Sequence, residues 1–260
     1  MSVQLEALAD EVFDAACDQA RLSGEVLHRP FGDLLINPDY PDLEFMNSVD
    51  NLIARAWSVS RLESAVREAV PAGAQVRLTS RDPETVATLG AALSASGYRH
   101  EVRIAMVAAF AVPRDDAAVH SVIPVDSASA WSDFEAMIHV ESRDDGWTPQ
   151  MTEQYIRLCR WRAGNTAHRY YLLDESGHPL SRVGLFQSGR TVYLHGLYTR
   201  PDARRRGAGA ALMLAMGSET QRMGSDRLVL QTVEDGHLPQ YYARLGYRPV
   251  GEQHLWTRSR

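Results

Sequence analysis

The stretch LYTRPDARRRGAGAALM, residues 197–213, decides how this chain is read. Arg204, Arg205 and Arg206 stand directly before Gly207-Ala208-Gly209, and Ala210, Ala211, Leu212 and Met213 then follow as good helix formers. Ordinary rules argue against such a helix start. The positive end of the macrodipole favours acidic residues in the first turn, and each misplaced cation costs about 0.3–1 kcal/mol. The glycines add conformational entropy to be lost on folding. A ligand reverses the balance. Helix N-terminal N–H groups, approached closely through glycine, form a cradle for an anion. Charge-assisted bonds to phosphate are worth about 1.5–3 kcal/mol each. The plain alternative is a solvated charge run on a surface helix, and the Gly-x-Gly behind the arginines weighs against it.

The rest of the composition narrows the ligand. The chain has 260 residues, 45% apolar and 23% charged, with a formal net charge of −6. That length suits two modest domains or one large one. The acidic balance argues against nucleic acid as the partner. No Lys occurs, so Schiff-base lysines and a lysine-bearing phosphate loop are excluded. Cys17 and Cys159 have no metal-ligand spacing and suit a reducing compartment. The acidic helical start MSVQLEALADEVFDAACDQA is unlike a secretory signal, and no apolar run reaches bilayer-spanning length. A cytoplasmic protein with no membrane partner and no metal is expected.

Periodicity places the elements. Helices are expected over 3–21, 58–70, 83–96, 127–140, 149–162, from the arginine loop to about 223, and over 238–245. Strands are expected over 74–80, 98–108, 168–174, 180–187, 191–199, 227–233 and 248–258, with an extended segment at 25–37. Residues 38–51 are dense in Pro, Asp and Asn and read as turns, and residues 111–126 read as a boundary. Strands separated by helices give α/β or α+β architecture. One string repeats: Gly97-Tyr98-Arg99 and Gly246-Tyr247-Arg248 each join a helix to a strand. Two related domains are therefore expected, 1–112 and 118–260, the first without a match to the arginine–glycine loop.

The spacing Arg204-x-x-Gly207-x-Gly209, after a strand and before a helix, resembles the acetyl-CoA loop of the GNAT superfamily of N-acetyltransferases. YYARLGYRPVG resembles that family's closing motif, with Tyr242, Gly246 and Tyr247 in its positions. The resemblance covers roughly residues 120–258, in the family's element order. It implies a mixed, mostly antiparallel twisted sheet flanked by helices, in tandem, with a degenerate first copy. It also implies acetyl-CoA as co-substrate, with its pyrophosphate on the loop from Arg204, Arg205 and Arg206 through Gly207, Ala208, Gly209 and Ala210. The pantetheine arm would lie along the strand edge at Leu197, Tyr198 and Thr199.

The implied activity is acetyl transfer to a primary amine, by direct attack in a ternary complex. The Leu197 N–H would be the oxyanion donor and Tyr242 the acid for the departing thiolate. His195 is the first candidate for general base, with Glu234 and Asp235 as competitors. Gly196, inside a strand, suits a bulge that frees an edge. Trp131, Trp147 and Tyr155, with Glu141, Asp144 and Asp145, fall where the family forms its acceptor cleft. The acceptor is a small-molecule or peptide amine, and a homodimer is left open. The rival reading is a non-catalytic acyl-CoA-binding or sensor module.

Overall fold

Alternating and helical periodicities in this sequence resolve into eleven strands of one mixed sheet with helices on both faces. A computed structural model describes residues 3–108 and 121–258. The first half runs α1 (Val3–Arg21), β1 (Glu25–Arg29), β2 (Gly32–Ile36), β3 (Ser48–Asp50), α2 (Val59–Arg67), β4 (Arg77–Ser80), α3 (Pro83–Ala95) and β5 (Tyr98–Ala108). The second half runs β6 (Ser121–Pro124), α4 (Ala128–Asp145), α5 (Pro149–Asn165), β7 (His168–Glu175), β8 (His178–Ser188) and β9 (Thr191–Thr199). It then continues through α6 (Ala208–Arg222), β10 (Arg227–Val233), α7 (Leu238–Arg244) and β11 (Tyr247–Arg258). Of the boundary expected at 111–126, residues 111–120 lie outside the described residues, and 121–124 form β6 rather than a linker.

Local chemistry sets the helix ends. Ser58, Asp82, Ser127 and Thr148 cap α2, α3, α4 and α5, each side chain accepting an N–H from three residues on. Pro83 and Pro149 occupy first-turn positions where no amide hydrogen is needed. Four apolar clusters then fix the layers. On one face α6 and α7 bury Leu212, Met216 and Tyr242 against Val183, Leu194 and Leu230. On the other, α1 covers Val107, Tyr193 and Val229 with Val12 and Phe13, and α4 and α5 cover Tyr170 and Leu172. In the first half, α2 and α3 bury Leu62 and Leu93 with Leu78 and Trp256.

The strand order is β1-β2-β3-β4-β11-β5-β10-β9-β8-β7-β6. Pairing is antiparallel except at β3–β4 and β9–β10. The last strand of each half crosses into the other: β11 lies between β4 and β5, and β5 lies between β11 and β10. The repeated Gly-Tyr-Arg strings open these two exchanged strands, with Tyr98 opposite Arg258 and Tyr247 opposite Ala108. Among the described residues, no helix is long and apolar enough to cross a membrane.

The exchange makes each half depend on the other. Without β5, the second half exposes one edge of β10 and loses the buried Met106 and Val107, each worth about 1.5–3 kcal/mol on burial. That is a large share of the stability of about 5–15 kcal/mol expected of a domain. Fragments 1–112 and 113–260 are therefore expected to be soluble only when co-expressed, eluting together on size exclusion. A monodisperse, cooperatively melting 113–260 fragment made alone would contradict this.

Candidate active site

The site grows from a parting of strands. β9 and β10 pair in parallel over only three residues each, Thr191–Tyr193 with Arg227–Val229. Beyond that point the edge of β9 facing β10 has no ladder partner among the described residues. A bulge accompanies the parting. Arg182 opposes Tyr198 and Gly184 opposes His195, so Gly196 and Leu197 together face the single Val183. Gly196 takes φ 59, the left-handed region that glycine enters without penalty. The expected bulge is present, and Leu197, Tyr198 and Thr199 follow it along the open edge.

Thr199 leads into a short 3-10 turn, Pro201–Ala203, and then the arginine loop. Arg205 takes φ 61, a conformation that costs a non-glycine residue of order 1 kcal/mol or more. Gly207, at φ 86, opens α6 with no side-chain cap and no acidic residue in the first turn. By contrast, α2, α3, α4 and α5 each have a side-chain cap. The first N–H groups of α6, from Ala208 to Ala210, are thus left without a side-chain acceptor. A Cβ on Gly209 would stand 3.0 Å from Thr199 Oγ1 and 3.1 Å from the Tyr241 hydroxyl, so the cradle floor is already tight.

The three arginines are exposed but not equivalent. Arg204 donates to the Thr199 carbonyl and to Asp144, each at 3.0 Å, and lies over the Tyr198 ring. Asp144 also accepts from the Tyr198 hydroxyl at 2.6 Å, tying the loop to the C-terminal end of α4. Arg206 stands 3.4 Å from Glu175. Arg205 has no hydrogen bond or ion pair among the described residues, which leaves its charge unspent.

Under the bulge lies a buried arginine. The Arg182 side chain is 1% exposed; it donates to the Gly196 carbonyl at 3.2 Å and to the carboxylate of Glu141. Phe134 and Tyr155 flank its guanidinium at 5.3 and 5.6 Å. Burial lowers its pKa to about 9, so it remains a cation at neutral pH. A Cβ on Gly196 would come within 3.1 Å of the Tyr155 hydroxyl, and Trp147 and Phe45 meet Tyr155 edge-on. The expected cleft aromatics Trp147 and Tyr155 and the acids Glu141 and Asp144 therefore gather at the bulge, joined by Phe45 from the first half. Trp131 packs instead against Phe134 and Tyr170.

His195 sits differently from what its candidacy as a base requires. The residue keeps some exposed surface, but its Nε2 is enclosed and has no hydrogen-bond partner among the described residues. Burial pushes its pKa down to about 3, aided by Arg162 and Arg182. The ring packs edge-on to His168 and Tyr170. It stays neutral at physiological pH, and burial removes the basicity that the role needs. Glu234 and Asp235 are exposed just past β10. Tyr242 lies in the core beneath α7, against Tyr241 and Tyr247, and burial raises its phenol far above the ordinary value.

Two participants escaped the sequence reading. Arg182 carried a signal, a charge within the apolar run LSRVGLFQ, but its partner Glu141 is 41 residues away. Tyr241 was overlooked beside Tyr242, although its hydroxyl reaches the cradle. Cys159 is buried, with its thiol pushed up to about 11, and is inert packing. Among the described residues no group of His, Cys, Asp or Glu is arranged to hold a metal ion. A cavity of about 900 Å³ lies elsewhere, lined by Trp131, Arg160, His168, Met216 and Glu219 beside β6. Size and chemistry thus point to different places. Among the described residues, only the parted strands combine an open backbone edge, an uncapped helix and an unspent cation.

The acetyltransferase (GNAT) family model matches residues 132–247, which spans the bulge, the loop and Tyr242. No curated protein matches the sequence. Among solved structures, a conserved protein of unknown function from Staphylococcus epidermidis superposes at TM-score 0.64 and 10% identity, covering 91% of this chain and 94% of that one. A GCN5-related N-acetyltransferase from Kribbella flavida gives 0.61 at 14% identity, with 97% and 96% covered. A tandem GNAT protein from the clavulanic acid biosynthesis pathway gives 0.52 at 14% identity, with 95% and 94% covered. These likenesses show the fold, and the family match places a GNAT acetyltransferase domain at residues 132–247.

Proposed function

We propose that the protein moves an acetyl group from acetyl-CoA to a primary amine by direct attack in a ternary complex. The observation that carries the reading is α6, a helix opened by glycine with no cap, set beside an unpaired strand edge. The residues fit the co-substrate. The main-chain N–H groups from Arg205 to Ala210 suit a pyrophosphate, with Arg205 and Arg206 as its counter-charges. The open edge at Leu197–Thr199 suits the amides of the pantetheine arm. Bound acetyl-CoA supplies the thioester whose carbonyl carbon the amine attacks. The Leu197 N–H then donates to the oxygen as charge builds on it.

Tyr242 supplies the proton for the thiolate that leaves. Burial keeps its phenol protonated but also makes it a weaker acid, so the transfer proceeds only as far as the same burial raises the departing thiol as much or more. The amine's proton is not assigned to His195. We further propose that residues 1–112 are a degenerate copy of the domain at 118–260. In support, α2 follows β3 as α6 follows β9, yet Ser58 caps it from within. The buried, neutral His195 favours the rival reading of a binding module, and turnover decides between them.

Calorimetry with acetyl-CoA is expected to show binding, and Arg205→Glu or Arg206→Glu to weaken it by about tenfold or more each. Unchanged affinity in both variants would remove the phosphate cradle. Tyr242→Phe is expected to lower kcat in a thiol-release assay at least tenfold, with acetyl-CoA affinity little changed. No release from the intact protein across polyamines, aminoglycosides and peptide N-termini would favour the rival.

The buried histidine gives a second expectation, with a definite sign. The unfolded chain takes up a proton at His195 near the ordinary 6.5, whereas the folded protein resists until about 3. Stability is therefore lost as pH falls from about 6.5 toward 3, and His168, depressed in the same direction, adds to the loss. Urea melts at pH 7 and pH 4.5 should show a smaller drop for His195→Gln than for the wild type. The acid limb of kcat should be alike in both; a limb that vanished with His195 would restore it as the base.

A further inference from the structure

We infer that Arg182 is a positioning residue for acyl transfer, holding and polarising the Gly196–Leu197 peptide whose N–H is the oxyanion donor; this rests on the acetyl-transfer reading above. The argument starts from cost. A guanidinium this deeply buried gives up several kcal/mol of hydration. One ion pair with Glu141 rarely justifies that, since apolar replacements of such pairs are often neutral or better. Moreover, Arg182 Nε has no hydrogen-bond partner among the described residues, so the side chain is not sited for its own satisfaction.

What the site gains is the second contact. The bulge gives Gly196 and Leu197 no paired residues on β8, and β10 has already parted. Nothing in the ladder therefore fixes the orientation of the peptide between them. The Arg182 guanidinium does so by donating to the Gly196 carbonyl at 3.2 Å. The peptide is trans, so the Leu197 N–H points away from Arg182, on the opposite side of the unit. A cation on the carbonyl draws electron density through the amide and makes that N–H a stronger donor; hydrogen-bond chains gain roughly 10–30% per bond in this way. Orientation and donor strength are thus set from one side of the peptide and used on the other. Glu141 fixes the guanidinium in turn, and Phe134 and Tyr155 flank it.

A second buried arginine serves as control. Arg162 is 2% exposed and also donates to a backbone carbonyl, that of Gln19 at 3.1 Å, but touches neither Gly196 nor Leu197. Arg182→Met and Arg162→Met are compared in full-length protein for kcat, acetyl-CoA affinity, melting and the Leu197 amide resonance under leucine ¹⁵N labelling. Both are expected to melt earlier. Only Arg182→Met should lose about 10- to 100-fold in kcat, less than or close to the loss on deleting an oxyanion donor outright. Its acetyl-CoA affinity should stay within about threefold, and its Leu197 amide proton should move upfield. If Arg182→Met does not fold, Arg182→Lys takes its place, because an ammonium cannot span both partners.

An unshifted Leu197 resonance, or a kcat loss equal in the two arginine variants, would overturn the inference. The resonance is read without turnover. A wild-type protein that acetylates nothing would therefore sink the functional reading while leaving the Arg182 contact on trial.

Discussion

The antiparallel ladder between β5 and β11 is the contact on which both halves of the molecule stand. It joins the last strand of each half along their lengths, from Tyr98 opposite Arg258 to Ala108 opposite Tyr247. Its effect reaches the site. β10 pairs with β5 over six residues, Leu228–Val233, but with β9 over only three. Held on its far side, β10 cannot follow β9 where the Gly196 bulge turns that strand away. The cleft between them is therefore a product of commitment to β5. An edge left unpaired in this way would ordinarily be a liability, inviting pairing with another chain. Here it lies inside the sheet, between β9 and β10, rather than at its rim.

The two helices that follow the parallel strand pairs show how the halves differ physically. Both α2 and α6 follow a strand that has a parallel neighbour, β3 beside β4 and β9 beside β10. At α2, Ser58 accepts the Arg61 N–H and closes the end. At α6, Gly207 offers no acceptor, and three cations crowd the terminus. Arg204 escapes part of that cost by spending its charge on Asp144 and the Thr199 carbonyl. Asp144 benefits equally, since an acid in the last turn of α4 faces the negative end of its own helix. Each of the two charges is badly placed on its own helix, and they stabilise one another across the cleft.

Most elements could be read from the sequence because their burial follows a simple period. The strands at 168–174, 191–199 and 227–233 and the helices at 3–21 and 83–96 were all legible. β3 was not. Ser48-Val49-Asp50 is a three-residue strand buried in full, with Asn47 beside it bonded to Asn37 and to Tyr40. Its polar residues look like a turn, and only tertiary partners make them a strand. α4 runs on through Arg143-Asp144-Asp145 to Gly146, past the point where acidic residues discourage a helix, because Arg204 arrives from 60 residues away. The loop glycines were legible because they violate local rules. The placement of Tyr241 was not, since it differs from Tyr242 by about 100° in direction and only the packing of α7 brings its hydroxyl to Gly209.

The absence of lysine acquires a structural meaning here. Arg182 and Arg204 each satisfy two groups at once, a backbone carbonyl of β9 and a carboxylate of α4. A planar guanidinium carries fixed donors that can span such a pair, whereas an ammonium is a compact point charge on a flexible stem. The two arginines approach β9 on either side of Leu197, one at Gly196 and one at Thr199, and both anchor to the C-terminal end of α4. That end of α4 is also where Trp147 and Tyr155 collect. An amine entering beside them would meet a strand edge whose two flanking carbonyls are already committed to cations. On the proposed reading, Glu141 and Asp144 are committed to the same two arginines, which leaves the aromatic faces for its ammonium and the Leu197 N–H for the acyl oxygen.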